Sequence, residues 1–337
     1  VLADFTTVRL GGPAQAIVEA TTAGDLVTAV RDADAAGVPL LVVGGGSNLV
    51  VADDGWPGTV VLVRTTGVDA VDAVDAVDAV EVTVQAGEPW DAVVRRTVES
   101  GLSGLAAMSG IPGSTGATPI QNVGAYGSEV ADVISALTVL DRQSGAVESW
   151  TPQRCGFGFR TSAFKHTDRY VVVDVTFRLR RSPDAPAVRY LELARRLGVE
   201  QGSSAPSAQV REVVLDLRRS KGMLLDDTDP DTWSVGSFFV NPFVEPERVP
   251  DGCPNWRVDG RIKLSAAWLI ENAGFGRGFG LGSGQVSVST KHTLALTNRG
   301  GATTRELLEL ARTIRDGVEA RFGIRLRPEA HLAGVEL

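Results

Sequence analysis

Apolar and polar positions follow two different rhythms along this chain, and the rhythm changes often. Over residues 304–322, Leu307, Ala311, Ile314, Val318 and Phe322 fall on one helical face. Thr303 and Glu306 stand just there at the spacing of a capping box. Residues 26–36 read as a helix closed by Gly37, and 89–100 as another closed by Gly101. Ser265 is placed to cap a helix through Asn272, with Gly274 just beyond. Short β-rich segments lie at 80–86, 136–141 and 170–179. Residues 38–43 form an apolar run that reads as a buried strand, and 49–51 form a second. Helices and strands are interleaved without a regular βαβ alternation, which predicts an α+β fold.

Two stretches fit neither rhythm. Residues 68–79 read VDAVDAVDAVDA, and a period of three gives no clean apolar face to a helix or a strand. Its four aspartates repel one another, so the expectation is an exposed, lengthened connection without a function. It lacks the glycine turn and bidentate glutamate of a calcium loop. Residues 194–209 read as a polar surface stretch.

Composition narrows the class. The chain has 337 residues, enough for two or three domains, with 43% hydrophobic and 22% charged residues. A net charge of −8 argues against nucleic acid as a partner. Cys155 and Cys253 give neither a disulfide framework nor a metal site and are expected as free, buried thiols. No apolar run reaches the length of a membrane span. The first residues lack the pattern of a secretory signal, and they open so soon on a motif that a few native residues are expected to have been trimmed.

Chemistry is concentrated in two glycine-rich runs. Residues 111–127, IPGSTGATPIQNVGAYG, carry no charge. Glycine lets backbone approach a ligand closely, and Ser114, Thr115, Gln121 and Asn122 leave only hydroxyls and amides. That suits a polyanion cradled by backbone N–H groups. The other run, Gly44 to Gly46 followed by Ser47, Asn48 and Leu49, separates two strand-like segments. It is neither a Walker A loop nor a Rossmann fingerprint, since no Lys-Ser/Thr follows and no helix comes next. Two such loops in one chain point to a dinucleotide.

The blocks FTTVRLGGPA (5–14), GGGSNLV (44–50), SGIPGSTGATPIQNVGAYG (109–127), FGFRTSAFK (157–165), VGSFFVNP (235–242) and LRPEAHLAGV (326–335) occur in this order. Together they resemble the UDP-N-acetylenolpyruvoylglucosamine reductases, also called UDP-N-acetylmuramate dehydrogenases, and most closely the type I subgroup. The likeness spans nearly the whole chain. It implies an FAD-binding region of the PCMH type in two subdomains, then a smaller α+β substrate-binding domain. The implied division is 1–66, with 330–337 returning to it; 67–220, with a substrate loop near 188–210; and 221–329. FAD and NADPH are the implied cofactors, a UDP-sugar the substrate, and peptidoglycan precursor synthesis in the cytoplasm the setting, with consequences for cell shape and division. A monomer without metal, membrane or nucleic-acid partners is expected.

The implied reaction adds hydride to an enolpyruvyl ether and needs charge stabilisation and a proton. No side chain donates hydride, so a cofactor must. The resemblance assigns Arg160 and Glu329 to the substrate carboxylate and Ser237 to proton delivery. Arg160 lies among aromatics and glycines, where a guanidinium pairs with an anion. A carboxyl facing a carboxylate is favoured in its protonated, donating form. Tyr190, Lys221, Asn241 and His292 match positions that hold the nucleotide sugar, although the register between Lys291 and His292 is open. His166 and His331 are read as structural. Flavin contacts are expected from Gly44, Gly45, Gly46, Ser47, Asn48, Leu49, Pro112, Gly113, Ser114, Gly116, Ala117, Gln121, Asn122, Gly124, Ala125 and Tyr126.

Two positions depart from the family pattern. Phe159 stands where many relatives have tyrosine, and Val240 where relatives often have lysine. The competing readings are an FAD oxidase of the same cofactor-binding fold acting on a small alcohol or lactone, and a nucleotide-binding protein without catalysis. Such oxidases often tether flavin through His or Cys, and neither glycine run holds one.

Overall fold

The computed structural model describes every residue except Asp259. By its contacts the chain forms two compact units. The central unit holds Gln15–Gly45 and Pro57–Arg219; the terminal unit holds Val1–Ala14, Gly46–Trp56 and Ser220–Leu337.

In the central unit, Leu40–Val43 pairs in parallel with Trp56–Val63, which also pairs with Ala14–Ala20. Helix Ala23–Ala35 packs Leu26, Val30 and Ala33 on this sheet. It begins three residues ahead of the expected start, because Thr22 and Asp25 form a capping box there. A larger antiparallel sheet follows the order Val147–Trp150, Ile134–Asp141, Tyr170–Arg181, Ala79–Gln85, Val68–Asp72. Helix Trp90–Glu99 covers it, with Trp90 tilted against Phe177 at 5.7 Å between ring centres.

The aspartate repeat is not merely a connection. Val68–Asp72 is the outer strand of this sheet, in register with Val80 to Val84. An outer strand needs backbone partners more than an apolar face, so the period of three is tolerated. Val71, Val74 and Val77 stay exposed, while Asp72 pairs with Arg181 and Asp75 with Arg178. Helix Ser207–Ser220 begins inside the stretch read as polar surface and buries Val210, Val214 and Leu217.

The terminal unit is built on helix Thr304–Phe322, whose Thr303–Glu306 capping box and Gly323 cap are both formed. Its inner face buries Leu307, Ala311, Ile314 and Val318 with Leu264, Leu269, Ile270, Phe238 and Phe239. The first amides of this helix, on Thr304 and Arg305, donate to the Asp53 carboxylate at 2.7 and 3.0 Å. Near the chain's end, His331–Ala333 pairs in parallel with Leu49–Val51. Pro328 bridges Phe239, and Ser237 bridges Ala295.

Mid-helix Gly317 sets packing against propensity. A Cβ there would lie 2.4 Å from the Phe275 ring. Helix propensity alone makes Gly→Ala stabilising by about 1 kcal/mol, whereas overpacking costs about 1–3 kcal/mol. Gly317→Ala is therefore expected to lower the midpoint of urea unfolding with an unchanged m-value. A raised midpoint would show that the Phe275 ring yields freely.

Candidate active site

The two glycine runs touch within the central unit. A Cβ on Gly45 would lie 2.5 Å from the Gly113 Cα, and one on Gly44 would lie 2.1 Å from the Ser114 Oγ. Only residues without a side chain allow this approach. The middle of the longer run is a turn, Thr115–Ala117, braced on its own backbone. The Thr115 and Gly116 amides donate to the carbonyls of Glu88 and Ala86, and those of Ala117 and Thr118 to Ser114 and Thr115. These four amides thus hold the turn rather than a ligand. Ser114, Thr115 and Asn122 are buried.

The later half of that run is fastened by the FGFRTSAFK block. Arg160 donates from Nη2 to the Gly124 carbonyl at 2.7 Å and from Nη1 to the Asn122 carbonyl at 3.3 Å. The Asn122 side chain donates to Glu129 Oε2 at 2.7 Å and to the Gly158 carbonyl at 3.1 Å, and accepts from the Ala131 amide. Lys165 Nζ donates to Gln121 Oε1, and Ser162 to the Ile120 carbonyl. Asn122, Tyr126 and Arg160 all have φ near +50° (46°, 52° and 53°), a region that side chains disfavour. Backbone held this way needs the surrounding bonds to fix it, and such strain gathers at functional sites.

Tyr190 is 41% exposed and meets Tyr126 edge-on at 5.4 Å. It opens the short helix Leu191–Leu197 and lines an open hollow of about 480 Å³ with Leu191, Glu192, Arg195 and Arg196. Burial pushes the Tyr126 hydroxyl up to about 12, so it stays neutral.

Gly46, Ser47, Asn48 and Leu49 belong to the terminal unit, with Ser237, Glu329, Asn241, Lys221 and His292. Gly46, at φ 61°, lies so near Phe5 that a Cβ would come within 1.8 Å of its carbonyl oxygen. Asn48 donates from Nδ2 to the Glu329 carbonyl at 3.3 Å, and its own carbonyl accepts from the His331 amide. The Glu329 amide donates to the Phe238 carbonyl at 2.8 Å, so Ser237 stands one residue from that rung. The Asn241 side chain has a structural bond of its own. Its Oδ1 accepts from the Ala266 amide at 2.9 Å, at the start of helix Ala266–Asn272.

His292 sits in the turn between Ser289 and Ala295, its amide donating to Ser289 Oγ and its carbonyl accepting from Ala295. Lys291 pairs with Asp229, and that hydrogen bond raises its pKa. Asp231 is buried and accepts from the Thr290 amide at 2.8 Å, the Thr290 hydroxyl at 2.5 Å and Arg299 at 2.9 Å, among others. Burial acts to raise its pKa, but the bonds from Thr290 and Ser289 and the charge of Arg299 leave it lowered. Sequence reasoning missed Glu129, Lys165 and Asp231, because nothing local marks a carboxylate or an amine whose partner lies elsewhere in the chain.

Among the described residues no group of three or more His, Cys, Asp or Glu is placed to hold a metal. Burial raises the pKa of both cysteine thiols, that of Cys155 to about 11. The apposed glycine turns, open to backbone approach and lined by uncharged polar groups, fit a flavin dinucleotide.

Comparison with known proteins agrees. Residues 14–150 match the model of an FAD binding domain, and residues 229–333 match that of the UDP-N-acetylenolpyruvoylglucosamine reductase C-terminal domain. A UDP-N-acetylenolpyruvoylglucosamine reductase of Thermobifida fusca (strain YX) is 52% identical, over 100% of this chain and 97% of its own length. One from Salinispora arenicola (strain CNS-205) is 53% identical, over 100% and 95%. The crystal structure of the corresponding reductase from Thermus caldophilus shares the fold, with a TM-score of 0.68 and 24% identity over 99% of this chain and 97% of that one.

Close approach at Gly45 has a measurable consequence. Gly45→Ala introduces a clash of about 1–3 kcal/mol, expected to weaken flavin binding by roughly 10- to 100-fold in a titration followed by flavin fluorescence. Gly24→Ala, where a Cβ would meet only the Thr22 hydroxyl at an ordinary 3.7 Å, is the control and should bind flavin normally. Wild-type affinity in Gly45→Ala would mean that the contact between the runs is irrelevant to the cofactor.

Proposed function

The chain belongs to the UDP-N-acetylenolpyruvoylglucosamine reductase family, and on that premise we propose that it reduces the enolpyruvyl group of UDP-N-acetylglucosamine-enolpyruvate to give UDP-N-acetylmuramate for peptidoglycan synthesis. FAD held by the apposed glycine runs, Gly44 to Leu49 and Pro112 to Tyr126, would supply the hydride-transfer chemistry that no side chain has, between NADPH and C3 of the substrate. One substrate, one NADPH and one proton yield one product and one NADP⁺.

The chain's own residues meet the charge and the proton. As C3 gains hydride, negative charge moves into the substrate carboxylate, and C2 becomes strongly basic. Arg160 supplies a fixed positive charge for that carboxylate, and Glu329 a hydrogen-bond donor. Its two carbonyl partners hold the Arg160 guanidinium in one orientation before any anion arrives. A charged acceptor binds it more strongly than a carbonyl does. Ser237 gives its proton to C2. A serine hydroxyl is a poor acid in water, but it suffices against so basic a carbon when held in place. Tyr190, Lys221, Asn241 and His292 hold the nucleotide sugar. Lys291 is already paired with Asp229, which favours His292 at the open register.

The observation that supports this reading is the backbone bond between Glu329 and Phe238, which runs the chain at Glu329 alongside the chain at Ser237. In functional terms we assign 1–66 and 330–337 to a first flavin-binding subdomain, 67–220 to a second with its substrate loop at 188–210, and 221–329 to the substrate domain. That division does not follow the contact units, because 1–14 and 46–56 fold with 220–337. Both reactants are water-soluble nucleotides, and no described helix is long and apolar enough to cross a membrane. We assign the reaction to a monomer in the cytoplasm.

Anaerobic stopped-flow spectroscopy separates the two half-reactions. In Ser237→Ala, NADPH should bleach the flavin at nearly the wild-type rate, while reoxidation by the enolpyruvyl substrate slows by about 10²–10⁴-fold. Equal damage to both steps would make Ser237 structural. Rapid oxygen consumption by the wild type on a simple alcohol would favour the oxidase instead.

A further inference from the structure

We propose that Asp231 is a positioning residue for substrate reduction, holding the turn that carries His292 and braces Ser237. The proposal rests on the reductase reading given above. Nothing in the sequence marks Asp231 out from its neighbours Asp226, Asp227 and Asp229.

Residues 233–238 pair antiparallel with 294–298, and the turn that precedes 294 is tied back to the same segment at a second place. At one end, Asp231 accepts the Thr290 amide and hydroxyl. At the other, Ser237 bridges Ala295, and the Phe238 amide donates to the Leu294 carbonyl at 2.8 Å. His292 lies between these ends. The Asp231 carboxylate is therefore the far anchor of a closed loop of chain whose near anchor is Ser237.

The anchor is itself held firmly. Arg299 donates to the same carboxylate, and the Asp231 amide donates to Asp229 Oδ1 at 3.0 Å. Asp229 pairs in turn with Lys291, the next residue after Thr290. Trp233, two residues beyond Asp231, accepts the Asn298 amide through its carbonyl and carries Arg9 over its ring at 3.9 Å. On the other side of His292, the Thr293 hydroxyl donates to the Glu271 carboxylate. The turn is thus pinned by two acids before His292, Asp231 and Asp229, and by one after it, Glu271.

Loss of the Asp231 pin leaves the start of the turn held through Lys291 and Asp229 alone, and loosens the turn that leads to the bridge at Ser237. Misplacement of a reacting group by about 1 Å slows a reaction by roughly 10²-fold. Nothing in this network belongs to the glycine turns of the central unit, so reduction of the flavin by NADPH has no reason to change.

The test uses the flavin-loaded enzyme and three variants, Asp231→Asn, Thr290→Val and Thr290→Ser, with each half-reaction followed anaerobically. Asp231→Asn and Thr290→Val are expected to slow reoxidation by UDP-N-acetylglucosamine-enolpyruvate about 10- to 100-fold and to raise its KM, with flavin reduction by NADPH within about twofold of the wild type. Thr290→Ser keeps the hydroxyl and should restore reoxidation. Wild-type reoxidation in Thr290→Val would overturn the proposal, as would equal losses in both half-reactions. Should Asp231→Asn fail to fold, the Thr290 pair decides alone. Wild-type reduced enzyme that this substrate cannot reoxidise would refute the reductase reading itself, a result distinct from any difference among the variants.

Discussion

The segment from Arg327 to Ala333 is hydrogen-bonded to two different parts of the chain, and the framework of the terminal unit depends on that sharing. On one side, the Arg327 carbonyl accepts from Val240 and the Glu329 amide donates to Phe238. On the other, the Glu329 carbonyl accepts from Asn48, and His331–Ala333 pairs with Leu49–Val51. One short extended stretch therefore fixes Glu329 relative to both Ser237 and the end of a glycine turn. Backbone pairing does this better than side-chain packing would. Each bond fixes a direction as well as a distance, and a slip of one residue would turn Glu329 to the opposite face. The helix behind it, Thr304–Phe322, has its first amides on Asp53 and the Thr304 hydroxyl on the Val51 carbonyl. The strand that receives the tail is thus itself tied to the core.

In the central unit the same problem is solved by other means. Residues 120–127 have little regular pairing, with only Gly124–Ala125 in a two-residue strand. Their shape is instead imposed from the 157–165 block, through Arg160, Ser162 and Lys165. A residue with a side chain at positive φ is held there at an energetic cost, and Asn122 and Tyr126 are both in that state. Arg160 bears on this directly, because its guanidinium bonds the Asn122 and Gly124 carbonyls. A residue expected for its charge toward substrate also acts as a structural clamp on the later half of the longer glycine run. Substitution of Arg160 would mix the two effects, whereas Ser237 makes the cleaner probe of chemistry.

Much of this was legible in the residues, and the remainder was hidden for a physical reason. The Thr303–Glu306 box, the uncharged glycine run and the Gly-Ser-Phe-Phe block are local signals, each contained within a few neighbours. The helix Ser207–Ser220 was also local, with Val210, Val214 and Leu217 at helical spacing, but its charged outer face and serine-rich approach masked its start. The aspartate repeat misled because strand pairing depends on the neighbour, here Ala79–Gln85, more than on the strand's own pattern. Asp231 and Lys165 could not be picked out, since their partners Thr290 and Gln121 are distant in sequence, and Glu129, though near Asn122, carries no local sign of the pairing. A carboxylate looks the same in a sequence whether it is solvated or anchors a turn.

An acidic chain that accepts a nucleotide diphosphate carrying a further carboxylate faces an electrostatic objection. With a net charge of −8, long-range repulsion would oppose binding. The terminal unit shows how the objection is met. Asp227 pairs with Arg9, Asp229 with Lys291, and Asp231 with Arg299. Asp53 is matched by the positive end of a helix, where exposed amides favour an anion. Each pair looks nearly neutral from a distance beyond about 10 Å at ordinary salt. The acids also serve as anchors, so neutralisation and rigidity come from the same bonds. Removing one carboxylate would not make the region a better anion receptor. It would release a cation and loosen a turn together, and the loss of geometry would outweigh the gain in charge, because an oriented donor lowers the barrier only when it stays where the charge appears.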